Sequence, residues 1–74
     1  MSNADRLRRG RDYVQRYHDD MHSRAGEPED YDFSDLIADL LHAYVANGRY
    51  YGDIIDASVS TFLGDMEEEG RSPA

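Results

Sequence analysis

Apolar side chains recur every three or four positions from Phe33 to Val45, and this spacing constrains the fold more than any other feature of the chain. Phe33, Leu36, Ile37, Leu40, Leu41, Tyr44 and Val45 make a wide stripe on one helical face. Asp32 reads as its N-cap, Asp35 follows three residues on, and Tyr31 is placed to staple against Leu36. Asn47-Gly48 supplies the stop, so the spacing predicts a helix over 32–47.

Two weaker stripes flank it. Leu7, Gly10, Val14, Tyr17 and Met21 predict a first helix over about 5–24, with Arg8, Arg9, Asp12, Arg16 and Asp19 on its far side. Ile55, Val59, Phe62, Leu63 and Met66 predict a third over 53–69, opened by Asp53 and Asp56, with Gly64 inside it. The AGEPED run at 25–30 is the main linker, because Pro28 disfavours helix at the residue before it. Residues 49–52 are short enough to make the second and third helices an antiparallel hairpin. The expected fold is a single all-α domain of three helices over 1–74, held by Leu36, Leu40, Tyr44, Ile55, Phe62 and Met66. Residues 1–4 and 70–74 are expected to be flexible; Ser2-Asn3-Ala4 also matches an expression-tag remnant.

A chain of 74 residues has little core, and without cysteine it has neither a disulfide nor a thiolate metal site to compensate. Self-association, most simply a homodimer, is the expected remedy. No apolar run reaches the roughly 18 residues needed to span a bilayer, and no signal-peptide h-region opens the chain, so a cytoplasmic protein with no membrane partner is expected.

Charge is sorted along the chain. Residues 1–24 hold six Arg against four Asp, net +2, and the remainder holds two Arg against twelve acids, net −10, which together give −8. Such sorting bears on partners rather than fold. Arg6, Arg8, Arg9 and Arg11 could contact phosphate, yet the third helix carries no Arg or Lys and the net charge repels a polyanion, so direct DNA binding is disfavoured. The acidic part of a second copy is the more natural partner for these arginines. The opposite reading is an acidic mimic of DNA, presenting Asp30, Asp32, Asp35, Asp39, Asp53, Asp56, Asp65 and Glu67–Glu69 to a nucleic-acid-binding protein.

His18 and His22 have the i,i+4 spacing that puts two imidazoles on one helical face, as in the zinc-peptidase HExxH motif, with Asp19 where that motif has Glu. Asp19-x-x-His22 and Asp39-x-x-His42 also echo the Glu-x-x-His pairs of di-iron bundles. A bundle metal needs inward ligands, and Asp35, Asp39 and His42 lie opposite the apolar stripe, so the plainer reading is two histidines flanking a core face and a solvated row of acids. No catalytic residue, cofactor or metal is therefore assigned, and His18, His22, Asp19, Asp39 and His42 stand as metal candidates only. Six tyrosines suit either a core or a contact surface. Tyr50 and Tyr51, at the hairpin tip, join Arg8 and Arg9 as expected partner contacts.

The stretch from Asp32 to Glu69 resembles small helical proteins of actinobacterial phages and their hosts, most specifically over Asp35-Leu36-Ile37-Ala38-Asp39-Leu40-Leu41-His42. Ser58-Val59-Ser60-Thr61-Phe62 departs from the more basic, aromatic ending of that pattern. The resemblance implies a two-helix hairpin and carries no activity or site residue. The expected function is non-enzymatic: a protein–protein interaction or regulatory module, with an acidic DNA mimic and a helical metal-binding protein as the alternatives.

Overall fold

The computed structural model describes residues 2–22 and 26–68 and forms three helices: α1 (Asn3–His22), α2 (Asp30–Val45) and α3 (Tyr51–Glu68). No strand occurs among the described residues. The all-α fold expected from periodicity is present, with α2 and α3 in contact across a five-residue connection.

The helix starts differ from expectation. α1 begins at Asn3 rather than Asp5: Asn3 is buried, and its amide donates to the Asp65 carbonyl at 2.9 Å, tying the start of α1 to the end of α3. The expected end of the first helix at Arg24 lies outside the described residues. α2 begins at Asp30, two residues before the expected start, because Glu29 and not Asp32 is its N-cap. Asp32 takes the third helical position, where its carboxylate reaches back to accept the Glu29 N–H at 2.8 Å. α3 begins at Tyr51, where the Asp53 N–H bonds the Tyr50 carbonyl at 3.1 Å. Glu69 and the tail from Gly70 lie outside the described residues.

α2 stops as its sequence implies. The Ala46 N–H bonds the His42 carbonyl at 3.2 Å, the Gly48 N–H bonds the Val45 carbonyl at 2.9 Å, and Gly48 adopts φ +80, a left-handed conformation that a side chain disfavours.

The stripes do not close into an apolar core. Val14 is the one buried apolar side chain among the described residues; the other buried residues are Asn3, His18 and Asp32. Of the six expected core residues, Leu36, Tyr44 and Met66 are half-buried, while Leu40 (60 % exposed), Ile55 and Phe62 remain exposed. α2 and α3 leave between them a groove of about 550 Å³, walled by Ile37, Leu40 and Tyr44 on one side and Ile55, Val59 and Phe62 on the other. α1 is attached mainly by polar contacts instead.

Among the described residues no atom beyond the helix's own neighbouring backbone lies within 4 Å of where a Gly64 Cβ would stand, so none of them requires a glycine there. Gly64→Ala is expected to raise stability by about 1 kcal/mol, whereas Gly48→Ala should lower it by about 1 kcal/mol through its positive φ. Paired thermal melts of the two variants check the contrast in sign.

Candidate functional site

The helical period places His18 and His22 on the same face of α1, one turn apart, with ring centroids 5.2 Å from each other. The first turn of α2 brings Asp32 against them. Asp32 Oδ2 lies 2.8 Å from His18 Nδ1 and Oδ1 lies 3.0 Å from His22 Nε2. Asp32 has no exposed surface, the His18 side chain is 3 % exposed, and the His22 side chain is 30 % exposed. The Tyr31 ring meets His22 edge-on at 5.4 Å.

Burial by itself pushes the Asp32 carboxyl up. The Glu29 backbone N–H, the His18 hydrogen bond and the charges of His18 and His22 act the other way, and the net result holds it below the usual carboxylate range. An ionised carboxylate only accepts, so His18 Nδ1 and His22 Nε2 both carry the proton in this arrangement. Asp32 then receives three donors. His18 Nε2, on the far side of the ring, is buried with no hydrogen-bond partner among the described residues. It faces the backbone near Gly26, whose φ of +137 belongs to the region that favours glycine.

His18, His22 and Asp32 are the one group of three potential metal-ligating side chains among the described residues, with ligand atoms all within 4.8 Å of one another. Two of the sequence candidates are thus brought together and three are not. Asp19 is exposed and accepts the Gln15 amide at 3.0 Å. Asp39 accepts the Tyr17 hydroxyl at 2.6 Å, and His42 is exposed on α2. Asp32, read from sequence as a helix cap, is the residue that completes the cluster. It is also buried, so it presents no charge to a partner as the DNA-mimic reading supposed.

The remaining contacts of α1 are polar as well. Arg6, one of the N-terminal arginines, lies 3.5 Å from Asp65 and 3.9 Å from Glu68 on α3, and donates to Asn3 at 2.7 Å. Arg8 pairs with Asp5 one turn away at 3.6 Å, and Arg9 shares with it a shallow surface of α1 that includes Tyr13 and Arg16. Tyr50 and Tyr51 are both exposed at the α2–α3 connection, with ring centroids 4.9 Å apart. The Tyr50 ring folds over Gly52 so closely that a Cβ there would overlap it. Arg49 stacks over Tyr44 at 5.2 Å, at the end of the groove nearest the connection.

No protein-family model, curated protein or solved structure matches the chain. No helix among the described residues is long and apolar enough to cross a membrane.

The hydrogen bond to Asp39, with the nearby acids adding to it, pushes the Tyr17 phenol up to about 12. A raised phenol pKa means that the stability from this bond is fully present below the ordinary tyrosine range and is lost as pH rises through about 12. In an alkaline titration followed by phenolate absorbance, one of the six tyrosines should ionise late, and Tyr17→Phe should remove that late step alone.

Proposed function

We propose that this chain is a non-enzymatic protein–protein interaction module that works as a homodimer, with the α2–α3 faces of two copies packed into a shared four-helix core. The observation that carries this reading is the distribution of its large apolar side chains: one is buried and fourteen are exposed among the described residues. Scattered exposed apolar residues are ordinary, but a contiguous lining of Ile37, Leu40, Ile55, Val59 and Phe62 is not.

A second copy suits this surface better than an unrelated partner. The groove is walled by two helices of similar length, so a two-fold axis along it sets the α2 stripe of one copy against the α3 stripe of the other. Arg8 and Arg9 belong to α1 and not to the groove wall, which leaves them and the acidic surface to select a further, unidentified protein. A regulatory role in the cytoplasm fits a module of this size. The acid-mimic reading is less well supported: Asp32 is buried, Asp39 is bound to Tyr17, and Asp65 is paired with Arg6.

Leu40 is well exposed in the single chain, so Leu40→Glu should leave each protomer's helices intact while placing a charge in the shared core. The substitution removes two buried leucines per dimer, about 3–6 kcal/mol of association energy. Sedimentation equilibrium at micromolar concentration is expected to show a dimer for the parent chain and a monomer for the variant. A parent chain that sediments as a monomer and melts cooperatively would rule the proposal out.

A further inference from the structure

We infer that His18, His22 and Asp32 form a binding site for a divalent transition metal of the zinc class, which clips α1 to the first turn of α2. The donor set is two imidazoles and a carboxylate, borderline ligands that suit Zn²⁺ and its neighbours and do not suit Ca²⁺ or Mg²⁺. The donors come from two helices, and the His18 and Asp32 side chains are almost wholly withdrawn from water. An exposed acidic cluster has neither property.

The geometry is close to that of a filled site. Two ligand atoms on a tetrahedral zinc stand roughly 3.4 Å apart, given metal–ligand bonds near 2.0–2.1 Å. The 2.8 and 3.0 Å nitrogen–oxygen separations end on different oxygens of Asp32, Oδ2 and Oδ1, and have to open by about half an ångström, while the three ligand atoms, all within 4.8 Å of one another, close round the ion. For Nδ1 of His18 and Nε2 of His22 to turn their lone pairs on the metal, each must give up the proton it donates to Asp32, and a neutral ring then carries its proton on the far nitrogen. Any second proton leaves to solvent, so affinity falls as pH falls. The Glu29 N–H, already bonded to Asp32, holds the carboxylate in place as outer-shell donors do in known metal sites. The partial exposure of His22 leaves a route for the ion and room for a water as fourth ligand.

Such a site supplies what the junction lacks. Small chains without an adequate core commonly rely on a disulfide or a metal; this one has no cysteine, and Val14 is the one apolar side chain buried among its described residues.

The test uses the full chain, stripped by a chelator and dialysed, then titrated with Co²⁺ and afterwards Zn²⁺. One Co²⁺ should bind per chain with visible ligand-field absorption, Zn²⁺ should displace it, and the Tm should rise with metal concentration. His22→Gln should weaken binding by about a hundredfold or more, while the exposed His42→Gln should leave it unchanged. Should His22→Gln fail to fold, the imidazole resonances of the parent chain decide the matter: zinc must shift two of the three histidines. Absence of saturable Co²⁺ absorption up to millimolar metal overturns the inference. So does binding that survives His22→Gln in a folded chain, binding that depends on His42, or zinc-induced shifts that include His42.

Discussion

The most deeply buried contacts that fix α1 to the rest of the chain converge on one carboxylate. Asp32 closes the first turn of α2 through the Glu29 N–H and at the same time receives both histidines of α1. A charge withdrawn from water is tolerated only when its hydrogen-bonding capacity is met, and three donors meet it here. The dependence runs in both directions: without the imidazoles the carboxylate is buried and underused, and without the carboxylate two ring N–H groups face a poorly solvated junction. Helix α1 is therefore docked by chemistry that is specific in geometry, with Val14 as its one buried apolar anchor.

The two halves of the molecule use different physics. α2 and α3 carry the broad apolar stripes but hold a groove between them, whereas α1, with the narrowest stripe, makes the best-satisfied contacts. Polar links repeat along α1: Asn3 and Arg6 at its start reach Asp65, Tyr17 in its middle reaches Asp39, and the histidines at its end reach Asp32. Directional bonds at three heights set the helix's register and rotation, which the apolar contact alone would leave loose.

Most of the helical architecture was legible in the sequence because it is local. The Phe33–Val45 stripe, the Asn47-Gly48 stop and the Pro28 break each act within a few residues, and each appears in the fold within two residues of its expected place. The i,i+4 histidine pair was legible for the same reason. Its completion was not, since the contacts of Asp32 with His18 and His22 span fourteen and ten residues, and an acid near a helix start reads equally well as a cap. The exposed faces of Leu40, Ile55 and Phe62 were misjudged in the opposite sense: periodicity says which residues share a side of a helix and not whether a neighbour comes close enough to cover them.

The contrast between a hydrogen-bonded α1 and a greasy α2–α3 pair implies that cold and heat loosen different joints. Apolar association weakens on cooling and carries a large heat-capacity change, while parting a few hydrogen-bonded polar groups carries little. Near freezing, the α2–α3 faces lose their hold first and α1 stays moored to the start of α2. As temperature rises, the balance tips toward the first helix lifting away.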